Sequence, residues 1–407
     1  MKIAILGYGK EGKSAENYFK KSGADIQIFD DFKNEDLDKI DFSGFDLVFR
    51  SPSVPPRAGV SSMTRYFFDH IKAPVIGVTG TKGKGTTCSM IAGILKAFGK
   101  KVFLVGNIGN PSIDILDEAA ESDVIVYEMS SFQLWDMEKS PKIAVVLRIE
   151  PDHLNVHKDF DDYVNAKGHI AEFQKAGDSV IYFKDNKNSV KIAEKSAGKK
   201  IPYPIIKKTK KLTELLNSLK VPGEHNKENA EAALLAVAEF FEVSLDELIE
   251  KDFDKLKDSL HNFKGLPHHI EFVKTVNGVD YYDDSFSASY PSLEVAVKSF
   301  PNKKVILIAG GKDRGLDLAP MKKAIFDAPN LEKAILIGET RLKLAENEDE
   351  NKYILADDFY TAVKTAKELA EKTDNAIVLL SPGAASFDMF KDFYDRGDKF
   401  KKIVEDF

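Results

Sequence analysis

Val75-Ile76-Gly77-Val78-Thr79-Gly80-Thr81-Lys82-Gly83-Lys84-Gly85-Thr86-Thr87 is the stretch that decides the fold. β-Branched apolar residues lead into a turn of Gly, Thr and Lys. Cys88 to Lys96 then carries helical periodicity, so the segment reads strand, glycine loop, helix. Such a loop cradles phosphate. Glycines at 80, 83 and 85 let the backbone present N–H groups to anionic oxygens, the helix start adds its positive dipole end, and Lys84 can reach the terminal phosphates. ATP is the ligand this pattern points to, with Thr81, Lys82 and Thr86 in the same cradle. Gly85 stands where a Ser or Thr hydroxyl usually touches Mg²⁺, so Thr86 becomes the candidate hydroxyl. A glycine turn without a ligand would have little use for lysines and threonines at this density.

The rest of the composition bounds the setting. A chain of 407 residues allows roughly two to three domains with buried cores. Its net charge of −7 argues against nucleic-acid binding, which calls for a basic face, so anionic ligands must be met by local lysines. The single cysteine, Cys88, excludes an internal disulfide framework and suits a reducing compartment. The apolar run Ile3 to Leu6 is too short for a signal peptide, and no stretch approaches the ~18 apolar residues that span a membrane. A cytoplasmic monomer acting on small molecules is the expectation, with neither nucleic acid nor membrane as partner.

Before the phosphate loop, strand Lys2 to Leu6 runs into Gly7-Tyr8-Gly9-Lys10-Glu11-Gly12, and a second strand, Asp25 to Phe29, ends in Asp30 and Asp31. This is a Rossmann-like opening that fits NAD, FAD or another nucleotide. Strand Leu47 to Arg50 leads to Ser51-Pro52-Ser53, a proline-stiffened loop at a strand's carboxyl end. After the loop, three further strands end in Gly106-Asn107, in Glu128-Met129-Ser130-Ser131 and in Glu150-Pro151-Asp152-His153, so polar groups gather beside the phosphate cradle. Glu128 and His153 are candidates to complete Mg²⁺ coordination. Lys167, within a helical pattern, reads as a solvated lysine, and residues 184–220 read as a lysine-rich surface face or variable loop. Asn226 and Asn229 head an apolar helix expected from Ala232 to Phe241, and either face adenine and ribose or merely start that helix.

Residues 265–407 form a further α/β unit, with Asn277-Gly278 marking a hairpin and glycine-rich loops after strands at 305–309, 333–337 and 376–380. The fold class is α/β in three domains: a Rossmann-like N-terminal domain (1–72), a central P-loop ATPase-like domain with a parallel sheet (73–264) and a C-terminal Rossmann-like α/β domain (265–407).

The ordered series GVTGTKGKGTT, GNIGNP, YEMSSFQL, EPDHL, PGEHNKENA, LPHHIE, DDSFSAS, GGKDRG and SPGAASFDMFKDFYDRG resembles the Mur ligase family over nearly the whole chain. The resemblance implies an ATP- and Mg²⁺-dependent amide ligase of peptidoglycan precursor synthesis, working through an acyl phosphate. The opening glycines and the SSFQL and SPGAASFDMF segments favour the member that joins D-glutamate to UDP-N-acetylmuramoyl-L-alanine. It further implies that Lys84 binds ATP phosphates, that Glu128 and His153 hold magnesium, and that Lys167 is carbamylated to hold a second magnesium. Asn226, Asn229, His268 and Asp284 match nucleotide contacts. Gly9, Lys10, Asp30, Asp31, Ser51, Pro52, Asn107 and Ser130 match the UDP-substrate site, and Arg314, Ser386, Phe387 and Phe393 match the amino-acid site. Four positions depart from the family pattern: Gly85 replaces a hydroxyl residue, His269 an arginine, Phe286 a lysine and Ser53 a glycine. These changes keep two other readings open, a folylpolyglutamate synthase-like ligase and a nucleotide-binding homologue that has lost turnover.

Overall fold

A computed structural model describes residues 1–30 and 39–407. Asp31 lies outside the described residues. Four parallel strands, β1 (Lys2–Leu6), β2 (Asp25–Phe29), β3 (Leu47–Arg50) and β4 (Ser61–Ser62), make the first sheet in the order β2-β1-β3-β4. The order reverses between β1 and β3, the place where open α/β sheets form a ligand crevice. There the Ser51 hydroxyl donates to the Gly7 carbonyl at 2.6 Å and fastens the two strand ends together.

The second sheet is also parallel and runs β10-β9-β8-β5-β7-β6. Its strands are β5 (Val75–Thr79), β6 (Val102–Gly106), β7 (Val124–Glu128), β8 (Ile143–Val146), β9 (Ser179–Phe183) and β10 (Lys199–Tyr203). Every residue of β5, β7 and β8 is buried, which is why these strands read as continuous apolar runs rather than alternating ones. Helix Lys84–Ala97 packs on β5, β6 and β7, and helix Phe160–Glu172 on β5. The lysine-rich stretch expected to be a solvated face or loop instead holds helix Lys187–Glu194, the edge strand β10 and helix Lys210–Asn217. Lys211 pairs with Glu250 at the surface, and Lys208 reaches the buried Glu231. The helix expected from Ala232 begins at Glu224, so Asn226 and Asn229 fall in its first turns.

The third sheet runs β11-β12-β16-β13-β14-β15, from β11 (Glu271–Val276), β12 (Val279–Asp283), β13 (Lys304–Gly310), β14 (Leu331–Ile337), β15 (Tyr353–Leu355) and β16 (Ala376–Leu380). Only β11–β12 is antiparallel, joined by Asn277 and Gly278, both at positive φ as a type I′ hairpin turn requires. The remaining pairs are parallel.

Contacts divide the described chain into two compact units, Met1–Ser218 with His225–Leu260, and Leu219–Glu224 with His261–Phe407. The break expected near Pro74 lies inside the first unit, which contains the first two sheets; that expected at 264 lies close to His261. Arg50 helps explain the union of the two sheets. Fully buried on β3, it donates to both carboxylate oxygens of Asp136 (3.0 and 2.6 Å) and to the carbonyls of Val54 and Phe132. A second tie runs from the Gln133 amide to the Glu11 carboxylate at 2.8 Å. No helix among the described residues is long and apolar enough to cross a membrane.

Candidate nucleotide site

The cradle begins where β5 ends. Gly83 caps helix Lys84–Ala97 with φ 86, and a Cβ there would lie 2.6 Å from Asn229 Oδ1, so glycine is required both by the turn and by the neighbour. Asn229 thus sits against the loop, and its amide lies 3.5 Å from Asn226 Oδ1. Lys84 folds back, its ammonium donating to the carbonyls of Gly80 and Thr81 at 3.0 Å each. Thr81 is committed to the protein: its N–H donates to Arg148 O, and its hydroxyl meets Glu150 O and the Tyr163 hydroxyl. Lys82 is exposed, while Gly85 and Thr86 lie half-buried in the first turn of the helix.

Around Lys84 the structure gathers a second lysine and two carboxylates. Lys167 is buried, 1% exposed, with Nζ 2.9 Å from the Gly80 carbonyl and 4.7 Å from the centre of the Tyr163 ring. Burial, reinforced by the Lys84 charge, pushes the Lys167 amine well below its ordinary range. Burial also lowers Lys84, opposed by the attraction of Glu128 and Asp152. The solvated-lysine reading of Lys167 is therefore wrong, because helix Phe160–Glu172 turns that residue into the core beneath the cradle. Glu128 is buried at the end of β7, beside β5, and accepts from the Asn107 amide at 3.2 Å. His153 stands on the loop after β8 at φ 54, its half-exposed ring 5.0 Å from that of Phe132 and 6.3 Å from that of Tyr163. Asp152, which the sequence reading quoted without a role, acts electrostatically on both lysines. Its signal was its place beside His153 at the carboxyl end of β8.

Of the residues matched to a UDP-substrate, Gly9, Lys10, Asp30, Ser51 and Pro52 follow strands of the first sheet, and Asn107 and Ser130 follow strands of the second. Asp30 accepts from the Tyr8 N–H at 3.1 Å, Gly9 is exposed, and Lys10 donates to Gly109 O at 2.7 Å. Ser51 is buried and Pro52 half-buried, while Ser130 caps helix Ser131–Leu134 in a capping box with Gln133.

In the second unit Asp284, Arg314, Ser386 and Phe387 sit on loops after β12, β13 and β16, His268 on the loop before β11, and Phe393 at the start of helix Phe393–Glu405. His268 is buried, its Nδ1 2.7 Å from Asp283 Oδ2, and helix Phe393–Glu405 passes so close that a Cβ on Gly397 would lie 2.1 Å from that nitrogen. Ligand atoms of His268, Glu271 and Asp283 lie within 4.8 Å of one another, yet the Lys401 ammonium already sits 3.1 Å from Glu271 and supplies the positive charge. Asp284 accepts from the Ser381 hydroxyl at 2.7 Å and from Ile270 N–H, and burial raises its carboxyl to about 7. Arg314 and Phe387 are exposed, Ser386 buried and Phe393 half-buried. Where the resemblance leads one to expect arginine and lysine, the His269 and Phe286 rings pack at a 33° tilt with centres 4.1 Å apart, and Phe286 meets Phe393 edge-on at 5.0 Å. Sequence reasoning missed Arg396. Fully buried, it donates to Ser285 Oγ, Ser285 O and Ala384 O, stapling the loop after β12 to the loop after β16.

Residues 78–237 match the Mur ligase middle domain model. Over 99% of this chain, and 96% of the relative, the sequence is 31% identical to UDP-N-acetylmuramoylalanine--D-glutamate ligase of Clostridium botulinum (strain Okra / Type B1). The chain belongs to the Mur ligase family. Among solved structures, folylpolyglutamate synthase from Thermotoga maritima shares the fold at 14% identity and TM-score 0.58, covering 84% of this chain and 92% of that one. The MurF ligase from Thermotoga maritima in complex with ADP does so at 16% identity and TM-score 0.53, covering 91% and 92%. Membership in the Mur ligase family makes the chain an amide-bond-forming ligase, and the three-sheet α/β architecture is that of its structural neighbours.

Proposed function

We propose that this Mur ligase joins D-glutamate to UDP-N-acetylmuramoyl-L-alanine with ATP and Mg²⁺, through an acyl phosphate, in peptidoglycan precursor synthesis. The observation that carries the nucleotide half is the Lys84–Gly80–Lys167 arrangement at the head of a helix, with the buried Glu128 at the next strand end. Support for the substrate is the name of the 31% identical relative. In this reading the first sheet holds the UDP-substrate, the second the nucleotide and the third the amino acid.

A free carboxylate is a poor acylating agent, and taking up the γ-phosphoryl group gives it a leaving group that the amine of D-glutamate can displace. The chain's work is positioning and charge neutralisation: Lys84 and the loop N–H groups receive the phosphates. Glu128, a buried carboxylate with an amide on one oxygen, has the hard oxygen donor that Mg²⁺ prefers, and with His153 it would hold an ion that neutralises phosphate charge. Burial disfavours the Lys167 ammonium, and the neutral amine is the form that adds CO₂: its nitrogen bonds to carbon, one proton leaves, and an anionic carbamate results.

Incubation with ATP, Mg²⁺, UDP-N-acetylmuramoyl-L-alanine and D-glutamate should yield the amide by mass, with one phosphate released per product. The aromatic pair His269–Phe286 favours a second reading, a family ligase for a different amino acid or a folylpolyglutamate-like acceptor. Phosphate release with another amino acid or acceptor, and none with D-glutamate, would establish it. No release with any pair would leave a binding-only homologue.

A further inference from the structure

A hydrogen-bonded chain of serine, histidine and aspartate lies beside the nucleotide site. His157 is buried, 2% exposed, with Nδ1 2.9 Å from Asp162 Oδ2 and Nε2 3.0 Å from Ser131 Oγ. The carboxylate can only accept, so Nδ1 carries a proton, and Nε2 pairs with the serine hydroxyl. The constellation has the connectivity of a hydrolase triad, but Ser131 is 1% exposed and no substrate can reach it. Its place in the fold gives it a different use.

Each member belongs to a different element of the candidate site. Ser131 opens the helix three residues after Glu128, and Asp162 lies on helix Phe160–Glu172, which carries Lys167. His157 lies on the loop that carries His153, and its own N–H donates to the His153 carbonyl at 3.0 Å, bracing that residue in its left-handed conformation. The ring stacks on Phe132 with centres 5.3 Å apart and planes 9° apart, and meets Tyr163 edge-on at 5.4 Å, the same two rings that flank His153.

We infer that His157 is a positioning residue whose two hydrogen bonds fix the mutual placement of the elements bearing Glu128, His153 and Lys167, and so set the metal affinity of the nucleotide complex. The inference rests on the nucleotide–metal half of the proposed function and is independent of which amino acid is joined. Outer partners of this kind typically change metal affinity 10–100-fold when removed.

The test uses the full chain with ADP and Mn²⁺ as probes, reading Mn²⁺ binding by electron paramagnetic resonance at saturating ADP, and apo unfolding temperature separately. Ser131→Ala, Asp162→Asn and His157→Phe, the last keeping an aromatic ring on Phe132, should each raise the half-saturating Mn²⁺ concentration by about tenfold. Ser131→Ala, the smallest change, keeps the test valid should His157→Phe fail to fold. A purely structural role would lower the unfolding temperature and leave half-saturation unchanged, and that result overturns the inference. A rise in His157→Phe alone overturns it too, since the hydrogen bonds would then not carry the effect. If the wild-type protein binds no Mn²⁺–ADP, the nucleotide reading itself falls.

Discussion

Lys167 Nζ and the Gly80 carbonyl lie 2.9 Å apart, so a buried amine is fixed directly against the glycine turn proposed to receive phosphate. Its burial and the charge of Lys84 disfavour the ammonium. In the unfolded chain the same amine is protonated up to its ordinary value near 10.5. Between the lowered folded value and that limit the unfolded state holds one more proton, so stability rises with pH. In bicarbonate-free buffer Lys167→Met should flatten this rise by up to about 1.4 kcal/mol per pH unit, measured by denaturant unfolding across pH 7 to 10. Identical slopes in the two proteins would place the Lys167 amine in solvent.

Asp284 has the opposite sign. Burial raises its carboxyl from 3.8 to about 7, so the folded state holds the extra proton, and the stability it contributes below 3.8 is lost as pH rises towards 7. Asp284→Asn keeps an acceptor for the Ile270 N–H and an amide for Ser381, and should remove that decline. Unfolding free energies at pH 4, 5.5 and 7 check it.

Gly83→Ala must place a side chain at φ 86 against Asn229 Oδ1. A loss of about 1–3 kcal/mol of stability is expected, with weaker ADP binding by calorimetry. An unaffected ADP affinity would mean that the nucleotide does not use this turn.

Arg396→Lys cannot reproduce three donations from a planar fork. About 3 kcal/mol should be lost in denaturant unfolding, on the scale of one or two hydrogen bonds to a buried charge.

Phe286→Lys replaces the ring packed against His269 by the cation that the family resemblance leads one to expect there. If the aromatic pair shapes amino-acid selection, the KM for the amino acid should shift severalfold while that for ATP stays within twofold. Parallel shifts in both would assign Phe286 to the nucleotide instead.

The strands were legible because most are buried on both faces and end in glycine and polar residues, as β5, β7 and β16 do. The stretch 184–220 was not: β10 is an edge strand with exposed lysines and Pro202, which hides the apolar pattern of a central strand. Lys84 and Glu128 could be picked out by their position at strand ends. Arg396 and His157 could not, because their partners lie 111 and 26 residues away in sequence and only the folded chain brings them together. Residue type alone made Lys167 a solvated lysine, a reading that the family resemblance replaced, and its helix register in the fold shows that it faces inward.

The most direct measurement of the central claim is a crystal structure with ADP and Mg²⁺. Lys84 now donates to the carbonyls of Gly80 and Thr81. The expected result is that its ammonium leaves them for the terminal phosphate, with the metal held by Glu128. A nucleotide bound elsewhere, or a Lys84 still folded onto its own loop beside a bound ADP, would contradict the account.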